Sequence, residues 1–231
     1  MEFYVGTSGW FYPWNEKRSL EWYTVNSGLN AIELNASFYR FPSLTAVESW
    51  AEKAQSLRWS VKVNRSITHN FKFTDEAFPY WERFCELFKP LDLNMDFFLF
   101  QLPPSLTPES ASRIEKFFER TELGERFALE VRNSKWFSKE YEVWAEKLGL
   151  TLVSVDSPEL PRDIFDTSGV VYVRMHGRKA WYAHLYSRKE LVDVAKRIVQ
   201  CKPRKAYVFF NNDHGMLENS REMLSVLKEH Q

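Results

Sequence analysis

The residues best suited to chemistry in this sequence are polar side chains that follow short apolar runs. Several come two residues apart, such as Glu130 and Arg132. Residues i and i+2 of a strand point to the same side, and an unpaired ion turned toward an apolar helix layer costs several kcal/mol. We therefore expect these side chains to point inward and to meet. The candidate site comprises Trp10, Glu33, Asn35, Lys62, His69, Gln101, Glu130, Arg132, Asp156, Arg174, His176, Asn211, Asn212 and Asp213.

Four of these residues are candidates for catalysis. Glu130 and Asp156 are expected to act as general acid and base, because neighbouring carboxylates in a closed pocket push each other's pKa values apart. His176 is a candidate proton shuttle near neutral pH. Lys62 is expected to polarise a carbonyl or to neutralise a developing oxyanion.

The other candidates are suited to substrate binding. Arg132 and Arg174 carry the planar guanidinium group that captures a phosphate or carboxylate at two points. Side-chain amides offer donors and acceptors that match sugar hydroxyls or base edges. The predicted substrate-binding residues are Trp10, Glu33, Asn35, His69, Gln101, Arg132, Arg174, Asn211, Asn212 and Asp213.

A structural interpretation of the same residues stays open. In it, Glu33 pairs with Lys62 and Asp156 pairs with Arg174 across neighbouring strands, and the ionic network closes the site without a substrate. Buried ion pairs stabilise a fold less well than apolar packing does, which favours a functional role. The aromatic side chain of Trp10 either stacks on a sugar or base or only closes the rim.

We expect no cofactor and no metal, with one alternative. Glu33, Glu130, Asp156 and Asp213 are oxygen ligands of the kind that a single Mg or Mn ion prefers. Nearby cationic side chains would compete with such an ion. The chain has only five histidines, too few on plausible loops for a trinuclear zinc site.

The elements that must position these residues follow from the hydrophobic pattern. Helical periodicity fills most of the gaps between the apolar runs, with caps that predict helices after Ser43, Thr107, Ser138 and Ser187 and a last helix over residues 219–227. The runs, read as strands rich in β-branched and aromatic residues, start near Phe3, Ala31, Trp59, Phe97, Phe127, Thr151, Val170 and Ala206.

Eight strands that alternate with helices predict parallel βα units that close into a single (β/α)8 TIM-type barrel spanning residues 1–231. An open doubly wound sheet is the competing architecture, but the first turn lacks the GxGxxG spacing typical of it. The step from Thr151 to Val170 leaves room only for a shortened sixth helix. Active sites of such barrels lie at the carboxyl ends of the strands.

Short motifs that carry these residues occur in order from the first strand to the last. They are Gly6-Thr7-Ser8-Gly9-Trp10, Glu33-Leu34-Asn35, Lys62 with Thr68-His69, Phe100-Gln101-Leu102-Pro103-Pro104, Glu130-Val131-Arg132, Tyr172-Val173-Arg174-Met175-His176-Gly177 and Phe210-Asn211-Asn212-Asp213. In these motifs the chain resembles the YecE-like family, domain of unknown function 72. The resemblance implies a TIM-type barrel related to sugar isomerases and endonuclease IV-like enzymes, and it implies no established reaction.

Composition excludes several classes of protein. With 44% apolar residues, 9 Trp, 10 Tyr and 19 Phe, the chain is not disordered. Its longest stretch without a charge, residues 3–15, is shorter than the ~20 residues of a membrane helix. Its first residues read as a strand, so we expect no secretory signal, no membrane partner and a cytoplasmic location. The two cysteines form no CxxC pair and are expected to be reduced thiols.

The charge pattern carries a second functional hypothesis. The total is balanced, with 31 basic and 31 acidic residues, which argues against a general nucleic-acid coat. Residues 174–205, however, hold ten Lys or Arg side chains against Glu190 and Asp193, and a local positive field attracts phosphates or carboxylates. The other interpretation is a solvated helix face balanced by acidic neighbours.

The leading hypothesis is an enzyme that acts on a small anionic or polyol substrate, such as a phosphorylated sugar or a nucleotide fragment. In this hypothesis, Glu130→Gln leaves the fold intact and abolishes turnover. The alternatives are a nucleic-acid-binding or -processing protein, with salt-sensitive affinity, and a non-catalytic barrel that binds a ligand.

Overall fold

The computed structural model describes residues 1–230, which form one sheet of nine parallel strands. Around the sheet the order is β6-β5-β4-β3-β2-β1-β9-β8-β7. The two edge strands, β6 and β7, are separated in sequence by Val153 alone, so the sheet closes on itself through one interrupted sixth strand. The strands are β1 (Glu2–Ser8), β2 (Ala31–Leu34), β3 (Arg58–Lys62), β4 (Met95–Gln101), β5 (Phe127–Glu130), β6 (Thr151–Leu152), β7 (Ser154–Asp156), β8 (Val170–Met175) and β9 (Lys205–Phe210).

Seven α-helices in residues 1–230 surround this sheet and make it the predicted TIM-type barrel. Residues 157–169 contain no helix, so the shortening expected after the sixth strand goes as far as loss of the helix. None of the seven has the length and apolar character of a bilayer-spanning segment. They are α1 (Leu20–Asn26), α2 (Leu44–Lys53), α3 (Phe78–Leu87), α4 (Ala111–Thr121), α5 (Lys139–Leu148), α6 (Arg188–Cys201) and α7 (Met216–Glu229).

Side-chain N-caps explain where three of the seven α-helices in residues 1–230 begin. The Ser43 hydroxyl accepts a hydrogen bond from the Ala46 amide at the start of α2, and Ser187 and Glu190 form a reciprocal capping box on α6. Thr107 lies at the predicted N-cap position, with Pro108 directly after it. Its side chain makes no capping hydrogen bond, however, and the helical segment begins with a 3-10 turn at Pro108–Ser110 before α4.

Below the carboxyl ends of the strands, the barrel interior is apolar. Apolar side chains of alternating strand residues fill it, while the opposite faces of the strands pack under the helices in two larger clusters. At Gly6 the first two strands are so close that a Cβ atom would lie 2.2 Å from the Ala31 carbonyl oxygen, so only glycine fits. The interior residues are Tyr4, Ala31, Phe97, Leu99, Ala128, Val153, Val155, Val170, Tyr172, Tyr207 and Phe209.

Candidate functional site

A buried ionic network fills the carboxyl end of the barrel. Arg174 on β8 donates from Nε to Glu33 Oε2 at 2.8 Å and from Nη2 to Glu33 Oε1 at 2.6 Å. Its Nη1 donates to Glu130 Oε2. Glu33 and Glu130 are 0% exposed and Arg174 is 1% exposed. One arginine therefore joins two carboxylates from β2 and β5 inside the barrel.

Three residues that sequence reasoning missed complete the hydrogen bonding of Glu33. Ser8 Oγ donates to Oε1 at 2.5 Å, and the Tyr172 hydroxyl donates to Oε2 at 2.7 Å. Ser60 Oγ lies 2.7 Å from the same hydroxyl. The sequence contained a signal for two of these residues. Tyr172 and Ser60 each lie two residues before a predicted site residue on the same strand, and so their side chains face the same side as that residue.

Arg132 forms the layer above this network. Its Nε donates to Glu130 Oε1, its Nη2 lies 3.1 Å from His176 Nε2, and its guanidinium carbon lies 4.6 Å from the centre of the Trp181 ring. The remaining nitrogen, Nη1, has no partner among the described residues and is not enclosed. Arg132 is thus held on three sides and keeps one free donor. Trp181 was not predicted, since it lies in a loop.

Lys62 lies in the same layer at the end of β3. Its amine donates to Gln101 Oε1 and lies 4.2 Å from the centre of the Phe38 ring. The edge of that ring meets His69, whose Nδ1 lies 2.8 Å from Thr68 Oγ1. The amide nitrogen of Gln101 has no partner in the described chain and is not enclosed. Gln101 and Arg132 therefore offer polar groups toward solvent above the buried ions, next to the buried amine of Lys62.

The pKa values of the buried groups follow from their neighbours. Burial raises the pKa of the Glu130 carboxyl, but Arg132 and Arg174 outweigh burial and hold this pKa well below its usual range. Burial lowers the pKa of the Arg174 guanidinium, yet Glu130 and Glu33 raise it well above its ordinary value. Glu130 and Arg174 are therefore both ionised at neutral pH.

Three basic side chains at the site, His176, His69 and Lys62, have lowered pKa values. Burial, followed by the charges of Arg174 and Arg132, lowers the pKa of His176 well below its ordinary value. Burial and the charge of Lys62 lower the pKa of His69 to about 4. Burial and then Arg174 lower the pKa of Lys62 to about 7. The lowered pKa of His176 argues against the role of proton shuttle near neutral pH that the sequence suggests, whereas the amine of Lys62 titrates in that range.

The structural interpretation predicted ion pairs between Glu33 and Lys62 and between Asp156 and Arg174, and both predictions are wrong. Glu33 pairs with Arg174 from across the barrel and not with Lys62. Asp156 pairs with Arg178 and not with Arg174. An arginine on β8 reaches both carboxylates because its side chain is long and the polar layer spans the closed barrel.

Asp156 does not face the network. Val155 occupies the interior face of β7, so the next residue points to the opposite face. There its carboxylate accepts from Arg178 Nη2 at 2.9 Å and from the Tyr186 hydroxyl at 2.9 Å. The expected acid/base pair of Glu130 and Asp156 is corrected on this ground, because the two carboxylates lie on opposite faces of the sheet.

Other predicted binding residues are divided between the mouth and its surroundings. Asn35 lies at the mouth, where its Oδ1 is 3.5 Å from Arg174 Nη2. Trp10 packs edge-on against the outer-cluster residues Trp50 and Trp59, at 5.7 and 6.0 Å between ring centres. This packing favours closing of the rim, one of the two roles considered for Trp10, over stacking on a ligand.

The residues after β9 serve the scaffold more than the mouth. Asn212 is buried and donates its amide to the His184 carbonyl and to Asn219 Oδ1. Asp213 is exposed in a left-handed turn with φ +55°. Asn211 is half-buried, and its backbone amide donates to the Met175 carbonyl. Asn212 is thus a structural residue and not a ligand-binding one.

The basic segment at residues 174–205 does not form one positive surface. It runs from the carboxyl end of the barrel, through α6, to the start of β9 at the opposite end. Arg174 is buried, and three more of its arginines pair with carboxylates. These are Arg178 with Asp156, Glu190 and Asp193, Arg188 with Glu222 and Glu229, and Arg204 with Glu125. These ion pairs favour the interpretation of the basic segment as a solvated face balanced by acidic neighbours over its interpretation as a positive surface that attracts phosphates.

No group of three or more His, Cys, Asp or Glu side chains within residues 1–230 is arranged to hold a metal ion. The four carboxylates considered as ligands are dispersed. Glu33 and Glu130 are bound by arginines, Asp156 lies on the outer face of β7, and Asp213 lies on an exposed turn. The residues present therefore do not fit the carboxylate-bound ion considered from the sequence.

Comparisons with known proteins agree with this architecture. Similar solved structures include a DUF72 family protein from Enterococcus faecalis V583, with TM-score 0.86 and 21% identity over 98% of this chain and 95% of that one. A DUF72 family protein from Thermotoga maritima MSB8 has TM-score 0.83 and 25% identity over 99% and 100% of the two chains. A xylose isomerase domain containing protein from Salmonella typhimurium LT2 has TM-score 0.62 and 16% identity over 98% and 97%.

The comparison with curated proteins gives no match. A family model described as "Protein of unknown function DUF72" matches residues 4–231, which is nearly the whole chain. The residues quoted above as the basis of the YecE-like resemblance lie within this match and include the members of the buried network. The chain therefore belongs to the DUF72 family.

Proposed function

We propose that the protein is an enzyme that acts on a small anionic or polyol substrate, such as a phosphorylated sugar, at the carboxyl end of its barrel. One observation carries the proposal: polar groups without partners among the described residues lie directly above a buried network of ion pairs. Arg132 Nη1, Gln101 Nε2 and Asn35 Nδ2 are neither enclosed nor hydrogen-bonded to the described residues.

Arg132 is the anion anchor of this proposal. Glu130, His176 and Trp181 fix its guanidinium group, so little conformational entropy is lost when an anion binds. Arg174 cannot share this role, because all three of its guanidinium nitrogens already donate to carboxylates. The amide groups of Gln101 and Asn35 are suited to the hydroxyls of a polyol.

Lys62 supplies the proton exchange. It has a pKa of about 7, and general acid/base catalysis is most efficient when the catalytic pKa is near the working pH. Glu130 stays ionised beside its two arginines and serves to hold them. The proposal thus keeps acid/base chemistry but moves it from the carboxylates to the amine.

The test is a calorimetric titration with ribose 5-phosphate and with ribose, followed by a search for turnover of whichever compound binds. We expect the phosphate ester to bind more tightly, and Arg132→Lys to weaken its binding by about tenfold, or about 1.4 kcal/mol. Lysine keeps a positive charge beside Glu130, so the network stays paired.

Arg188→Met is the matched control, because Arg188 lies on the exposed face of α6 and its loss should leave binding unchanged. Equal binding by the wild type and Arg132→Lys would reject the anion anchor. Tight binding without turnover of any phosphorylated sugar would support the non-catalytic barrel in place of the enzyme.

A further inference from the structure

Lys62 is a buried lysine that no carboxylate of residues 1–230 holds. The side chain is 9% exposed, and its amine contacts the neutral amide of Gln101 and the face of the Phe38 ring. Buried lysines are normally paired with an anion, because the desolvated charge is otherwise costly. Here the nearest anions are already bound by arginines, so the amine is left without a counter-ion.

The charges of the network balance without the proton of Lys62. Glu33 and Glu130 carry two negative charges, and Arg174 and Arg132 carry two positive charges. A protonated Lys62 would add an uncompensated charge next to two guanidinium groups. The lowered pKa of the amine agrees with this count, and at neutral pH a large share of the molecules carries a free amine with a lone pair.

We propose that Lys62 is a nucleophile that forms an imine with the carbonyl carbon of a small aldehyde or ketone whose anionic group is bound by Arg132. This inference rests on the anion site of the proposed function, replaces the proton-exchange role of Lys62 with a covalent one, and narrows the substrate class to phosphorylated or carboxylated carbonyl compounds. A desolvated amine flanked by cations is the environment in which lysine acts as a nucleophile toward carbonyl groups.

The step balances in atoms and electrons. The lone pair of neutral Nζ forms a bond to the carbonyl carbon, and the π electrons of the C=O bond move to oxygen. The resulting carbinolamine loses this oxygen as water together with both amine hydrogens, and a C=N bond remains. Gln101 Oε1 accepts one Nζ hydrogen, which orients the amine while the substrate approaches from solvent.

The experiment uses glycolaldehyde phosphate, an anionic aldehyde, with sodium borohydride, which delivers hydride to a C=N bond and converts the imine into a stable secondary amine. We expect one adduct per chain, mapped to Lys62 by peptide mass spectrometry. Lys72 is exposed and close to the mouth, so Lys72→Met is the matched control and should leave the adduct unchanged. Lys62→Met should abolish it.

A second measurement needs no variant. Competitive labelling of the wild type with acetic anhydride over a pH series reports the titration of each lysine. We expect the reactivity of Lys62 to rise with a midpoint near pH 7, against about 10.4 for an ordinary exposed lysine. A midpoint for Lys62 near the ordinary value would overturn the proposal.

The outcomes separate this inference from the proposed function. Calorimetric binding of glycolaldehyde phosphate with no reduced adduct, or with adducts spread over surface lysines, would overturn the imine and leave the anion site standing. An adduct at Lys62 that forms as fast with glycolaldehyde as with its phosphate would support the imine and reject Arg132 as the anchor. Slower formation of the Lys62 adduct with glycolaldehyde phosphate in Arg132→Lys would support both the imine and the anion site.

Discussion

Arg174 and Glu33 form a two-point ion pair that crosses the barrel and is almost wholly excluded from solvent, with N···O distances of 2.8 and 2.6 Å. A guanidinium group engaged in this way cannot also bind a substrate. Arg174, to which the sequence assigns the same binding role as Arg132, therefore has a different role, which is to bring two carboxylates together. The carboxyl end of the barrel is thus divided into a buried network and the polar layer above it.

Removing the charge of Arg174 should destabilise the fold. In Arg174→Met, Glu33 and Glu130 keep their burial but lose their common partner, and breaking a buried ion pair costs about 3–5 kcal/mol. Urea unfolding followed by circular dichroism measures the change in the free energy of unfolding. Arg188→Met, on the surface, should change it little. A free energy of unfolding equal to that of the wild type would mean that the network does not support the barrel.

Glu130→Gln should also destabilise the protein, contrary to the expectation of an intact fold from the sequence. The amide removes the negative charge that both Arg132 and Arg174 face, so two buried guanidinium groups are left undercompensated. The same unfolding experiment measures the loss. If Glu130→Gln unfolds at the wild-type urea concentration, these contacts contribute nothing to stability, and the variant can then be used to test catalysis directly.

Stability should depend on pH through Lys62. In the unfolded chain its pKa is near the ordinary 10.5, and in the folded protein it is about 7, so between these values the unfolded state binds more protons. The free energy of unfolding therefore rises with pH across this window, by roughly 1 kcal/mol per pH unit, and the penalty is complete below about pH 7. Unfolding of the wild type and Lys62→Met at several pH values should show this slope as a difference between the two. If the free energy of unfolding of the two proteins changed with pH in the same way, the assignment of this slope to Lys62 would be contradicted.

His176 should remain neutral under mildly acidic conditions. Its pKa is lowered by burial and by two arginines, and its Nε2 lies 3.1 Å from a nitrogen of Arg132 that can only donate, which places the hydrogen on Nδ1. Nitrogen NMR of the imidazole should show the Nδ1–H tautomer and no titration near the ordinary pKa of 6.5. Because unfolded His176 does bind a proton, its contribution to stability declines as the pH falls below about 6.5. A midpoint near 6.5 in the folded protein would refute this assignment.

Asp156→Asn should affect the loop and leave ligand binding unchanged. The carboxylate holds Arg178 and Tyr186 on the outer face of β7, and losing one such charged partner costs about 1–3 kcal/mol. Hydrogen exchange should become faster in residues 177–187, while ribose 5-phosphate binding stays at the wild-type value. A loss of ribose 5-phosphate binding as large as that in Arg132→Lys would show that Asp156 takes part in ligand binding.

Much of the site was accessible from sequence. The two-residue alternation on parallel strands placed Lys62, Gln101, Glu130, Arg132 and Arg174 at one end of a barrel, where they meet. Asp156 was assigned to the site because it ends the sixth strand, and a position at a strand end does not say which face of the sheet the side chain points to. The interrupted sixth strand has two short pieces, and too few residues remain there to decide the face from pattern.

The sequence alone determined the strands, their parallel order and the edge at which polar groups collect, because these follow from local hydrophobic period and from the handedness of βα connections. Only the tertiary structure decided the partners. Glu33 lies 141 residues from Arg174 in sequence, and their contact exists because closure of the barrel brings β2 and β8 across from each other. That contact leaves Lys62 without a carboxylate, and the shift in its pKa is thus a property of the closed barrel.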